Sequence, residues 1–360
     1  MKIRIQNIYW MLAYAFQCLN EHDAKEYSSE EFDNVLNLFG KILVHGLRKQ
    51  IKQGLTRDYK TSRETLSSPK GQLVIPDTIR ALARHRKLTV CDVDEFDRDT
   101  YPNRIMKSVA LLLVQHPSLD NNVRFELRRT MVFLNDIGTV DLRHITWNRL
   151  NYNRNNRSYR MLMAICRLII DGMLINTDEN KSLRLNEFID DHRLFALYER
   201  FLLEFYRKHF PQFTVTHPQI AWDLDESNLS EAFLPVMQSD LMLGYKQKTL
   251  IIDAKFYEEP LNRRFGDSSP TLRSDHLYQI YSYVKNMDTD ASGDVSGMLL
   301  YIKAGGQSPD IDYAIGKNRI SAKTLDMDCP FQNVKAQLFS FAQEWIQYAL
   351  PSEHCPQPIE

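Results

Sequence analysis

The 360-residue chain lacks an excess of either charge: 45 Lys and Arg stand against 46 Asp and Glu. No global basic surface of the kind that holds nucleic acid tightly and non-specifically is therefore expected, so any such contact must come from a local patch or a partner. Paired cysteines are also missing. The five present (Cys18, Cys91, Cys166, Cys329, Cys355) are odd in number and widely spaced, with no C-x-x-C. That argues for reduced thiols in the cytoplasm and against a zinc or iron–sulfur site. Long apolar runs are absent too, Val109–Val114 being far short of a bilayer span. Lys2 and Arg4 before the apolar Ile8–Phe16 imitate a signal peptide, but Gln6 and Asn7 interrupt it, and Trp10 and Tyr14 suit a core helix better. Nor does a phosphate-binding loop G-x-x-x-x-G-K-[ST] occur; Gly316-Lys317-Asn318 fails both the spacing and the terminal hydroxyl. That is consistent with any nucleotide-driven motor being another chain.

What is present is enough for about two domains with a large core. Ile8–Leu19 reads as a short buried helix. A capping box at Ser28 and Glu31 opens a second, with Phe32, Val35, Leu36, Phe39, Ile42, Leu43 and Leu47 on one face. Asp58–Gly71 reads as polar turn chemistry, Pro76 as a helix start and Leu88–Val93 as a strand. Helices follow at Pro102–His116, Asn121–Asn135 and Ser158–Met173, the last behind a basic run, Arg154 to Arg160, that reads as a solvated helix entrance. Residues 1–175 thus form a mostly helical α+β domain, and the polar stretch Asn176–Ser182 marks the boundary to a second domain, 176–360.

That second half is organised around Gln238–Tyr257. Leu241–Leu243, a turn over Gly244–Lys248 and Thr249–Ile252 form a β-hairpin. The return strand ceases to be apolar at Asp253 and Lys255, which share a face about 6.6 Å apart, and the hairpin brings Asp240 near them. A bare D-x-K is most often an ion pair at a strand end. The same three groups also suit a divalent-metal nuclease, with Asp240 and Asp253 as hard oxygen ligands for Mg²⁺ and Lys255 orienting water or stabilising phosphate charge. Around the hairpin lie a helix, Leu194–His209, a strand near Phe213–Ile220, a helix, Asp275–Lys285, a strand, Met298–Ile302, two further strands and a C-terminal helix, Phe331–Leu350. Leu197, Phe201, Leu202 and Phe205 form the apolar stripe of the first helix. Its two acids, Glu199 and Glu204, are five residues apart and point to different faces. Gln279 and Tyr283 share a face of the second helix.

This αβββαβ order with D…D-x-K resembles the PD-(D/E)xK nuclease superfamily, with Ser239-Asp240 in place of the usual Pro-Asp, and Gln279…Tyr283 resembles the Q-x-x-x-Y element of its RecB-like branch. End to end the chain resembles one family within it, McrC, the nuclease subunit of the McrBC modification-dependent restriction system. The likeness is carried by IQNIYWMLAYAF, by Pro69–Leu73, by Asn103–Ser108, and by YERFLLEF, SDLML, LIIDAKFY and LYQIYSY in the family's order.

The resemblance implies a C-terminal α/β PD-(D/E)xK nuclease fold, Mg²⁺ held by Asp240 and Asp253 with support from Glu204, and Lys255 as the catalytic lysine, aided by Gln279 and Tyr283. Arg263 and Arg264, between the hairpin and helix Asp275–Lys285, read equally as a phosphate clamp or as a solvated loop. It further implies a GTP-hydrolysing AAA+ partner, McrB, that recognises modified cytosine in double-stranded DNA, with residues 1–175 docking on that partner and stimulating it. Two rivals are a non-catalytic adaptor that regulates an NTPase and a stand-alone repair nuclease.

Overall fold

The computed structural model describes residues 3–17, 32, 34–83, 88–152, 157–175, 191–224, 233–255, 261–262, 271–303 and 309–349. They fall into two compact units: Asp33–Ile189 is one, and Met1–Phe32 together with Asp190–Glu360 is the other. The expected division at 175/176 placed the first helix in the N-terminal half. The structure corrects this, because that helix packs with the C-terminal unit. No helix among the described residues is long and apolar enough to cross a membrane.

Helix α1 (Ile5–Ala15) begins and ends earlier than its apolar run suggested. Asn7 Nδ2 donates to the carbonyls of Met327 (2.8 Å) and Cys329 (2.9 Å). The Trp10 ring is stacked on Phe331, and Tyr14 O–H meets His209 Nε2 at 2.7 Å. Contacts so far apart in sequence explain why linear reading assigned α1 to the wrong unit.

In the unit Asp33–Ile189, α2 (Val35–Gln53) is capped by Asn34, whose Oδ1 accepts from the Asn37 N–H at 2.8 Å; the expected Ser28–Glu31 box lies outside the described residues. The stretch expected to be a polar turn is instead strand β1 (Asp58–Leu66), followed by β2 (Gln72–Leu73), α3 (Ile75–Ala83) and β3 (Thr89–Asp97). β3 is central and antiparallel to both neighbours. β1 escapes pattern reading because it has no apolar face; cross-strand polar pairs hold it, Arg63 with Asp92 and Thr61 with Asp94. Helices α4 (Tyr101–Gln115), α5 (Asn121–Met131) and α6 (Arg157–Ile175) complete the unit. Buried Asn103 is a structural clamp: its Nδ2 donates to Thr56 and Arg98 carbonyls and its Oδ1 accepts from Tyr159 O–H. Arg104 pairs with Asp99, which lies well below the usual carboxylate range chiefly through that hydrogen bond.

In the other unit, α7 (Asp191–His209) leads to β4 (Thr214–Thr216), β5 (Gln219–Ile220), β6 (Met237–Gln238), β7 (Leu241–Tyr245) and β8 (Lys248–Lys255). Next come β9 (Leu261–Asn262), β10 (Thr271–Leu272), α8 (Ser274–Met287), β11 (Val295–Ile302), β12 (Ile311–Ile315), β13 (Asn318–Leu325) and α9 (Phe331–Ala349). The main sheet runs β12-β13-β11-β8-β7-β4. It is mixed: β11 is parallel to β8 and β13, and the other pairs are antiparallel. The hairpin turn is tighter than expected, only Lys246-Gln247, with Lys246 at φ 55°.

Alternation puts Ile251, Asp253 and Lys255 on one face of β8. Ile280, Tyr283 and Val284 of α8 pack over that face with Ile251. Gly297 on β11 permits this close approach, since a Cβ there would stand 2.7 Å from Ile280 Cγ1 and 2.9 Å from Val284 Cγ2.

Candidate active site

Leu241 pairs with Ile252 across the hairpin, so the register sets Asp240 opposite Asp253. Asp240 Oδ2 accepts from the Ala254 N–H at 2.7 Å. Asp253 is 1% exposed and Lys255 8%. Lys255 Nζ lies 2.5 Å from Asp253 Oδ2 and donates to Gln279 Oε1 at 2.7 Å. Gln279 Nε2 in turn donates to Tyr283 O–H at 2.9 Å. The structure thus brings together Asp253, Lys255, Gln279 and Tyr283 in one bonded chain running from hairpin to helix, with Asp240 beside it.

The helix acid at the cluster is Glu199. Its carboxyl shares a hydrogen bond with that of Asp240, whereas Glu204 faces away, accepting from Arg207 Nη1 (3.0 Å) and Gln17 Nε2 (2.8 Å). Placing Glu204 at the cluster is therefore corrected. The two acids differ by about 140° around α7 at 100° per residue, and the buried stripe Leu194, Tyr198, Phe201, Leu202 and Phe205 rotates Glu199 toward β7. Tyr198 rather than Leu197 completes that stripe. No sequence signal distinguished the two acids, since the choice depends on how α7 passes the sheet. Arg263 and Arg264 lie outside the described residues.

Three carboxyls gathered together, Asp253 buried and Glu199 and Asp240 partly buried, repel one another. Burial is the main cause that pushes Asp240 up to about 8, followed by the charges of Asp253 and Glu199. Burial likewise raises Asp253, against the pull of Lys255, and raises Glu199. Burial also pushes His276 down to about 4, with the Lys255 charge adding to it, so its ring is neutral; its Nδ1 lies 3.0 Å from Tyr301 O–H.

Among the described residues no three His, Cys, Asp or Glu side chains already stand in metal-holding geometry. Glu199 and Asp240 face each other carboxyl to carboxyl, and Asp253 is engaged by Lys255. The donor chemistry nevertheless fits a hard divalent cation. All the oxygens are carboxylate, and their charge is under-compensated enough to hold a proton near neutral pH, which a cation could replace.

The family described as McrBC 5-methylcytosine restriction system component matches residues 5–302. Over 346 residues the chain is 29% identical to "Type IV methyl-directed restriction enzyme EcoKMcrBC" of Escherichia coli (strain K12), covering 95% of this chain and 94% of that protein. Its fold resembles a chain of the Thermococcus gammatolerans assembly of McrB AAA+ hexamers with bound McrC. That likeness has a TM-score of 0.57 and 16% identity, over 94% of this chain and 76% of that one.

Proposed function

The chain belongs to the family of McrBC 5-methylcytosine restriction system components, and on that premise we propose that it is the DNA endonuclease subunit of a modification-dependent restriction complex, built on a PD-(D/E)xK nuclease core. The observation that carries this reading is the bonded chain Asp253–Lys255–Gln279–Tyr283 with Asp240 and Glu199 beside it. A strand-end ion pair needs neither the second and third carboxyl nor a glutamine to aim the lysine. Burying so many charged groups is costly, a cost that a role in chemistry would account for.

Asp240 and Asp253 would hold Mg²⁺, with Glu199 completing the acid set in place of Glu204. Bound there, the ion supplies Lewis-acid polarisation of the phosphate and a more acidic attacking water. Lys255 positions that water and stabilises charge on the phosphodiester oxygens as they become more negative. Gln279 fixes the ammonium by accepting one of its hydrogen bonds, and Tyr283 fixes Gln279. The alanyl N–H of residue 254 holds Asp240 in the rotamer that faces the cluster.

The partner is an McrB-like GTP-hydrolysing AAA+ subunit, which selects double-stranded DNA carrying modified cytosine. In support, the Thermococcus relative is described with bound McrB hexamers, and the present chain carries no phosphate-binding loop of its own. Docking on that partner and stimulation of its GTPase fall to the unit Asp33–Ile189, and cleavage to the other unit. The test is reconstitution with the partner, GTP, Mg²⁺ and methylated DNA. D240A, D253A and K255A should each abolish cleavage while GTP turnover remains stimulated. Cleavage surviving in D240A and K255A would remove the nuclease reading and favour an adaptor.

A further inference from the structure

We propose that the groove along α7 carries the sugar–phosphate backbone of one DNA strand to the acid cluster, with Arg200, Arg207 and Lys208 as its phosphate contacts. This deepens the nuclease reading and rests on it. A groove of about 460 Å³ is lined by Glu199, Arg200, Glu204, Arg207, His217 and Asp240 among others, so it reaches two carboxyls of the acid cluster. A second cleft of about 380 Å³, lined by Tyr14, Gln17 and Lys208, shares Glu204 and Arg207 with the first. The two adjoin at the Glu204–Arg207 pair. Residues 200, 204, 207 and 208 recur at helical spacing on a single face. From Arg200 to Arg207 the rise is about 10 Å, or about three nucleotides of one strand at 3.4 Å each.

Each cation on this path is held in place from below. The Arg200 guanidinium lies 5.2 Å from the centre of the Phe16 ring, and the Lys208 ammonium 5.7 Å from that of Tyr14. Arg207 Nε and Nη2 donate to the Val215 carbonyl at 3.2 Å, while Nη1 pairs with Glu204. Glu204 is itself fixed by Gln17. Such anchoring lowers the entropy lost when a phosphate is gripped. It also answers an electrostatic need: a site of three carboxyls repels DNA, so cations must flank it. The test removes Arg200 and Lys208 and keeps Arg207, whose bonds to Glu204 and the Val215 carbonyl also brace the helix.

The experiment uses the full-length chain carrying D253N, so that a labelled 20-base-pair duplex survives, with and without R200Q/K208Q. Two phosphate contacts at a slope of about −0.9 each predict that, between 50 and 200 mM salt, the parent loses about tenfold more affinity than the double variant. In the active complex, R200Q/K208Q should raise KM for DNA with kcat held within about threefold and GTP turnover unchanged. R200K/K208R, which keeps the charges, should bind like the parent. Equal affinity and salt slope in parent and R200Q/K208Q would overturn the proposal, as would loss of binding in R200K/K208R, which would make the role one of packing. Loss of GTPase stimulation would make the face a protein contact and overturn it too. Failure of the nuclease reading shows separately, as cleavage by D240A, and leaves the salt measurement intact.

Discussion

Trp10 lies flat against Phe331, ring centroids 4.3 Å apart and planes within 6°. The first helix of the chain is thereby joined to the last, and the compact unit that holds the acid cluster includes residues from both ends of the sequence. Trp10→Ala should lower the stability of that unit by about 2 kcal/mol, less than for a fully buried ring because Trp10 is only partly buried. Thermal unfolding of the full chain measures it. A fragment ending at 175 keeps α1 without its partners, so it should aggregate, whereas residues 33–189 should be soluble and monomeric on a sizing column. Equal behaviour of the two fragments would contradict the assignment of α1.

Glu199 and Glu204 give a sharp contrast on one helix. Glu199→Ala should reduce DNA cleavage by about 10²-fold, as expected when a carboxyl that supports the cation site is lost. Glu204→Ala should leave cleavage within about threefold and cost about 1 kcal/mol of stability through the half-exposed Arg207 pair. Cleavage rates and melting curves of both variants decide it, and the opposite pattern would restore the sequence-based choice.

Gln279 acts through Lys255, not on substrate. Gln279→Ala should lower kcat by about 10- to 100-fold with KM little changed, since a lysine freed by an ångström is misaligned rather than absent. Tyr283→Phe removes only the acceptor of Gln279 Nε2 and should cost less, about threefold. Steady-state cleavage kinetics separate the two effects.

His209 offers a pH signature remote from the acid cluster. Burial is the main cause that depresses it to about 4, with Lys335 and Lys208 adding to it. The unfolded chain therefore binds more protons between about pH 6.5 and 4, and stability falls as pH falls through that window. His209→Phe fits the ring stack with Phe205 and Phe339 and removes the titration. Relative to this variant, the wild type should lose about 1 to 2 kcal/mol by pH 4, after allowance for the solvent that reaches the ring. Urea unfolding at several pH values provides the comparison, and parallel curves would exclude the effect.

The hairpin could be read from sequence because alternation and an apolar-to-charged switch within one strand are local facts. Asp240, Asp253 and Lys255 followed from them, and Gln279 with Tyr283 from helical spacing. β1 could not be read, since Asp58–Leu66 carries no apolar face and is held by cross-strand partners about thirty residues away. The exchange of Glu204 for Glu199 belongs to the same class: the helix is local, but its rotation against β7 depends on distant packing. The Asn103-Arg104 motif carried a resemblance, and the structure gives it structural work, closing loops around Thr56 and Asp99.

Gly297 makes no contact with the acid cluster, yet it sets a length. With only a hydrogen where other residues carry a methyl, β11 lets α8 settle against the sheet, and that depth determines whether the Gln279 amide can reach Nζ of Lys255 on the neighbouring strand. The missing side chain works as a spacer of zero thickness. Gly297→Ala would lift the helix by a fraction of an ångström and lengthen the link between glutamine and lysine, so the tuning of the lysine rests on a position that carries no chemistry of its own.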